Sequence, residues 1–184
     1  MPAYNLDQSF EGDIDGNTSN GVYNLRRAAN NNTILGQSFT PTLLGALNKV
    51  ELRLQKEGAP TGNIWVEIHA DGADPTAAAQ LGIDSATVDV STVSTYSYIA
   101  FTWAAPITLS PGTEYWILLY GDYAEAIDVG VYWAVDTTSP SYTGGNGGRF
   151  GNGSAAWEDL VADGHFKQYS DDPPAAGGFF HMSV

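Results

Sequence analysis

Val50-Glu51-Leu52-Arg53-Leu54, Ile64-Trp65-Val66-Glu67-Ile68 and Ile99-Ala100-Phe101-Thr102-Trp103 each alternate large apolar side chains with polar or smaller ones. Successive side chains of a strand point to opposite faces, so each stretch reads as a half-buried β-strand. Between them stand Gly58-Ala59-Pro60-Thr61-Gly62, Asp71-Gly72-Ala73-Asp74-Pro75 and Ser110-Pro111-Gly112-Thr113. These are turn sequences, in which proline presets φ and glycine supplies a positive one. Tyr115-Trp116-Ile117-Leu118-Leu119 is apolar on both faces, which predicts a central strand covered from both sides.

Working outward, strands are expected near residues 4–10, 22–25, 35–40, 47–55, 63–70, 86–90, 98–103, 114–120 and 129–135. Residues 165–169 read as a return to the sheet, and Ala77-Ala78-Ala79 as one helical turn. The pattern predicts an all-β chain: a two-sheet antiparallel, jelly-roll-like β-sandwich. Residues 1–34 read as an N-terminal arm or edge strands, 35–170 as the sandwich, and 171–184 as a linker-like tail. Ile64, Val66, Ile68, Phe101, Ile117 and Leu119 are expected in the core. Gly144-Gly145-Asn146-Gly147-Gly148 and Gly151-Asn152-Gly153-Ser154 read as loops.

The chain has 184 residues, 43% of them apolar, which suits one domain with a sizeable core. It has no cysteine, which excludes thiol chemistry and cysteine-ligated zinc. Seven Lys and Arg stand against 21 Asp and Glu, a formal net charge of −14. Phosphate recognition needs clustered cations, so neither nucleic acid nor an anionic membrane surface is an expected partner. Met1-Pro2-Ala3-Tyr4-Asn5-Leu6-Asp7 has no basic or apolar run of the signal-peptide kind. No stretch approaches the roughly 20 apolar residues of a spanning helix.

Catalytic patterns are sparse. His69, His165 and His181 are isolated from one another, and no Gly-x-Ser-x-Gly elbow or phosphate loop is present. Twenty-one acids leave paired carboxylates open in principle, but the acids sit mainly in turns and on solvent faces, and the expectation is a protein that is not an enzyme. Asp13, Asp15 and Asn17, around Gly16, have the oxygen-rich look of a calcium loop, although no closing Glu makes it an EF-hand. Calcium is the one cofactor the sequence suggests, and Asp-Gly turn chemistry explains the same residues.

The best binding candidates are tryptophans, because the C–H faces of sugar rings stack on aromatic rings while acids and amides bind hydroxyls. Trp65 shares its strand face with Glu67 and His69, opposite Ile64, Val66 and Ile68. Trp157 follows the glycine-rich stretch and precedes Glu158-Asp159. Packing under a loop or at a subunit interface is the alternative role for both rings. Trp103, Trp116 and Trp133 are expected in the core.

Gly36-Gln37-Ser38-Phe39-Thr40, the alternating Val50, Leu52 and Leu54, Gly58-Ala59-Pro60-Thr61-Gly62-Asn63-Ile64, Asp74-Pro75-Thr76, Phe101, Leu109-Ser110-Pro111-Gly112-Thr113-Glu114-Tyr115-Trp116, Tyr142-Thr143-Gly144-Gly145 and Trp157 occur in that order. Together they resemble the jelly-roll β-sandwich domains, of carbohydrate-binding-module type, of phage structural proteins and bacterial surface proteins. The resemblance covers roughly residues 35–170. It implies a virion protein of a bacteriophage, such as a capsid decoration protein or tail-fibre component, with host glycans as a ligand. Its partners would be copies of itself or other virion proteins. A carbohydrate-binding module of a bacterial extracellular protein, or a subunit of an extracellular filament or surface layer, remains open.

Phe179 and Phe180 follow the Pro/Gly-rich run 173–178 and are expected to anchor the tail in a neighbouring chain, since aromatics serve as interface anchors. Cutting the chain after Asp172 is expected to weaken assembly, read as a shift to smaller species in sedimentation velocity. Unchanged assembly would leave the two rings without that role.

Overall fold

The computed structural model describes residues 4–11, 22–25, 33–123, 126, 128–138, 140–151 and 156–171. Asp13, Asp15 and Asn17, and Phe179 and Phe180, lie outside the described residues. The strands are β1 (Tyr4–Phe10), β2 (Val22–Leu25), β3 (Ile34–Phe39), β4 (Ala46–Glu57), β5 (Asn63–Ala70), β6 (Val88–Asp89), β7 (Ser97–Thr108), β8 (Tyr115–Gly121), β9 (Gly130–Asp136), β10 (Gly147–Phe150), β11 (Trp157–Leu160), β12 (Asp163–Gly164) and β13 (Phe166–Asp171). The only helical element among the described residues is a single 3-10 turn, Val90–Thr92. Where Ala77-Ala78-Ala79 are expected to form a helical turn, residues 74–78 form a hydrogen-bonded turn in which Asp74 O and Pro75 O accept from Ala77 N and Ala78 N, and Ala79 and Leu81 bond to β5.

All pairings are antiparallel, and they make two sheets. Seven strands follow the order β1-β13-β4-β9-β12, with β7 also on β4 and β2 also on β9. Six strands follow the order β11-β10-β3-β8-β5-β6. The two-sheet β-sandwich is therefore the fold of the chain. The segment before residue 35 contributes β1 and β2, both to the seven-stranded sheet. Gly62 and Gly112 take the positive φ their turns require, +135° and +75°.

The twelve residues of β4 hold the larger sheet together. β7 pairs along one side of β4, from Ala46 to Leu54. On the other side, β13 covers Leu47 to Leu52 and β9 covers Leu54 to Glu57. Arg53 falls at the changeover, and His165, between β12 and β13, fills the gap. Its N–H donates to Ala134 O (2.9 Å), and its carbonyl accepts from Arg53 N (3.1 Å) and from Trp133 Nε1 (2.9 Å). Backbone groups buried at a strand changeover need such partners, because unpaired ones carry a desolvation cost.

Between the sheets, Val50, Leu52 and Leu54 meet Ile64, Val66, Ile68, Ile117 and Leu119, all fully buried. Phe101, Trp103, Val131, Trp133 and Phe166 complete this core. Every core residue expected from the alternation is in it. Ile117→Ala is expected to destabilise by about 2–5 kcal/mol, from lost burial plus the cavity left in a packed core. Urea unfolding checks it, and a loss under about 0.5 kcal/mol, typical of a surface site, would mean a different register.

Candidate functional site

β8 lies between β3 and β5, and its alternate side chains Trp116, Leu118 and Tyr120 point away from the core. Register fixes what stands beside them. One row across the outer face of the six-stranded sheet runs Trp65, Tyr120, Ile34, Phe150, Trp157. Trp65 pairs with Tyr120, and Phe150 pairs with both Ile34 and Trp157. Tyr120 and Ile34 are joined one step beyond the Leu35–Leu119 pair. The next row runs Glu67, Leu118, Gly36, Gly148, Asp159. The third contains His69, Trp116 and Ser38. The result is an aromatic layer on the side of the sheet that faces away from the core.

The two glycines give this layer its shape. A Cβ on Gly148 would lie 2.2 Å from Trp157 Cζ2, and one on Gly36 would lie 2.7 Å from Trp157 Cη2. The adjacent missing side chains leave a trough in which the Trp157 indole lies. There it meets Trp116 edge-on, with centroids 5.0 Å apart and planes at 84°. Such a contact adds to burial alone, because the positive edge of one ring faces the negative face of the other. Trp65 stacks on Tyr120, centroids 5.8 Å apart and planes at 9°. Trp116 and Leu118 are buried under this layer, while Trp65, Tyr120, Phe150 and Trp157 stay half-buried.

Glu67 ties the Trp65 side of the layer together. It accepts from Trp65 Nε1 (3.1 Å) on one oxygen and from His69 Nε2 (2.9 Å) on the other. The Tyr120 hydroxyl lies near enough to favour the charged carboxylate as well. Burial works to raise the Glu67 carboxyl, but His69, Trp65 and Tyr120 together outweigh it and hold the group below the usual carboxylate range. Burial, with Glu67 and Asp84 nearby, pushes Tyr120 upward. His69 is nearly buried, and its Nδ1 lies 3.2 Å from Ala78 O. Trp65, Glu67 and His69 are thus one bonded chain.

Trp157 and Glu158 separate. Neighbours on a strand face opposite ways, and Glu158 turns to Arg149, which donates to it from Nε (3.0 Å) and Nη2 (2.9 Å). The acid that shares the face of Trp157 is Asp159, whose Oδ1 accepts the indole N–H at 3.0 Å. Trp116 does the same with Asp71 at 3.1 Å. It is buried as expected, but in the outer layer, whereas Trp103 and Trp133 are in the core. Sequence reasoning missed Tyr120, Phe150 and Asp71, whose neighbours lie on other strands, and noted Asp159 after Trp157 without giving it a role. The i, i+2 spacing of Trp157 and Asp159, the same as that of Trp65 and Glu67, was the available signal.

A second pair of acids, Asp136 and Asp163, face each other in register across β9 and β12, both nearly buried. Burial raises Asp163 against the pull of the Tyr142 N–H and the Gln37 amide, and neighbouring Asp136 adds to the rise. Asp163 accepts Tyr142 N (2.9 Å), and Asp136 accepts Thr138 N (3.0 Å), so these carboxylates fasten the loop after β9. A shallow hollow of about 430 Å³ lies beside that loop, lined by Tyr142, Asn146, Asp159 and Asp163 among others.

No protein-family model matches the chain, and a search of curated proteins finds no match, so function is read from this geometry.

A carboxylate with a lowered folded value contributes stability that is present above its unfolded pKa and lost as pH falls through the folded one. Glu67→Gln is therefore expected to cost about 1–3 kcal/mol near pH 7, through weakened bonds to Trp65 and His69. The difference from the unaltered protein should shrink as pH drops below about 4. Urea unfolding at several pH values checks it, and a pH-independent difference would show that the Glu67 charge is not involved.

Proposed function

We propose that the chain is a non-enzymatic virion protein of a bacteriophage, a displayed β-sandwich whose six-stranded sheet offers its aromatic face to host polysaccharide. The observation that carries this reading is the row Trp65, Tyr120, Phe150 and Trp157, half-buried and held on a single sheet face. Sugar rings present C–H faces to such rings, and rings already fixed by packing lose little freedom on binding. Glu67, with one oxygen on Trp65 and the other on His69 and held below the usual carboxylate range, suits a positioning role better than proton transfer.

The opposite face supports docking to a carrier. There the seven-stranded sheet turns Lys49, Arg53 and Lys167 outward, three of the seven basic residues in a chain of net charge −14. Lys49 lies 3.7 Å from the Tyr169 ring centroid, and Lys167 lies 4.2 Å from that of Tyr98. Aromatic side chains and arginine are enriched at protein interfaces, and Tyr98, Tyr169 and Arg53 supply them on this face. In this reading copies of the chain, or other virion proteins, occupy this side and the polysaccharide the other. A carbohydrate-binding module of an extracellular bacterial protein would use the same aromatic face, and immunogold labelling of purified particles separates the two.

Trp65→Ala and Trp157→Ala are each expected to weaken retention on immobilised host-surface polysaccharide about tenfold or more, the scale of losing a buried aromatic anchor. Lys49→Ala, on the other sheet, is expected to leave retention unchanged. Affinity electrophoresis measures all three. Full retention by both tryptophan variants would remove the face from glycan binding.

A further inference from the structure

We infer that the aromatic face takes a polysaccharide whose sugars carry protonated amino groups, because each of its three tryptophans is paired with a carboxylate and no Lys or Arg among the described residues of the six strands stands on it. The inference rests on the glycan reading above and adds the chemical class of the ligand.

The three indole N–H groups donate to Glu67 (3.1 Å), Asp71 (3.1 Å) and Asp159 (3.0 Å). Each bond fixes a ring and sets a negative charge at its edge. Glu67 already uses one oxygen on Trp65 and the other on His69. Asp71 and Asp159 are exposed, and each uses only Oδ1 on its indole, which leaves Oδ2 to solvent. Among the described residues of the six strands the single Lys or Arg is Arg149, which points away from this face to Glu158. The face therefore has negative charge, ring faces and no cation of its own besides what His69 supplies to Glu67. Asp74 and Asp84 are close enough to Tyr120 to act on its hydroxyl in the same sense as Glu67.

An ammonium group gains here twice. It is attracted to the electron-rich ring face, and it can donate a charge-assisted hydrogen bond to the free carboxylate oxygen. A neutral sugar gains only the stacking. A uronate or sulfated sugar meets like charge at both ends of the face. Of the glycan classes, an amino-sugar polymer is the one whose charge and ring geometry both fit.

The test is calorimetric titration of the full chain with a glucosamine oligomer at a pH where its amines are charged. The same oligomer N-acetylated, an oligo-uronate and an oligolysine are titrated in parallel. The glucosamine oligomer is expected to bind about tenfold tighter than its acetylated form, the scale of one or two cation contacts. Its binding alone among the two should weaken with added salt. In the double variant Asp71→Asn, Asp159→Asn the amide oxygens still accept the indole N–H groups, so the rings keep their partners. There the glucosamine oligomer should fall to the acetylated level, and the acetylated oligomer should bind as before. Equal, salt-insensitive binding of both oligomers overturns the inference and leaves the glycan reading standing. Tighter binding of the uronate also overturns it. Oligolysine binding as tightly as glucosamine overturns it in favour of a cationic peptide. Binding of none of the four overturns the inference and the glycan reading together.

Discussion

β8 is buried on both of its faces, and the arrangement of both layers depends on that. Tyr115, Ile117 and Leu119 enter the core between the sheets, while Trp116, Leu118 and Tyr120 form the floor of the outer layer. The side-chain period of a strand is two, so a slip of one residue would exchange the two sets. Tyr120 would then leave Trp65, Trp116 would leave Trp157 and Asp71, and one indole and one phenol would need partners in an apolar core. Apolar burial on both sides thus specifies the register, and the register places the candidate binding residues. Stability and the candidate site share one strand.

The strands legible in the sequence are those with one buried and one solvated face, or those buried throughout. β4, β5, β7 and β8 have that character, and their alternation or apolar run is visible without any partner. The stretch after β9 has neither. β10 begins with Gly147 and Gly148, which read as loop, and β11 and β12 are four and two residues long. These segments become strands because β3, β9 and their own neighbours offer ladder positions to them, a long-range condition that local propensity does not contain. The candidate site divides along the same line. Trp65, Glu67 and His69 lie on one strand face, and their proximity follows from spacing alone. The proximity of Trp157 to Trp116 passes through β10 and β3 and was not readable. Glu158 shows the limit of adjacency: it follows Trp157 in the chain and faces the other way.

The two outer faces differ in how they handle charge. On the seven-stranded sheet, Lys49 bridges Glu51 (2.8 Å) and lies over Tyr169, whose hydroxyl donates to Glu51 (2.8 Å). Cation, ring and acid are compensated within the face. On the six-stranded sheet the acids meet indole N–H groups, which offer one donor and no charge. Among the described residues no Lys or Arg pairs with Asp71 or Asp159. In a chain already at −14 this adds self-repulsion, set against the two indole bonds these acids accept. In the proposed reading a ligand that brings positive charge would relieve this repulsion, so charge more than shape would distinguish the classes of glycan.

Gly36 and Gly148 show what the outer layer costs and returns. Glycine inside a strand is unfavourable by roughly 0.5–1 kcal/mol relative to alanine, and two stand side by side. Alanine at Gly148 would set a methyl 2.2 Å from the Trp157 ring, so the ring would have to leave the trough. With glycine the indole covers Trp116 and Leu118 and hydrogen-bonds Asp159 in one pose. Full burial of a large apolar side chain is worth about 1.5–3 kcal/mol, so covering Trp116 and Leu118 offsets the two glycines. The excess goes into fixing a half-exposed aromatic before any ligand arrives, which is the condition under which ring stacking is converted to affinity and not spent on ordering the ring.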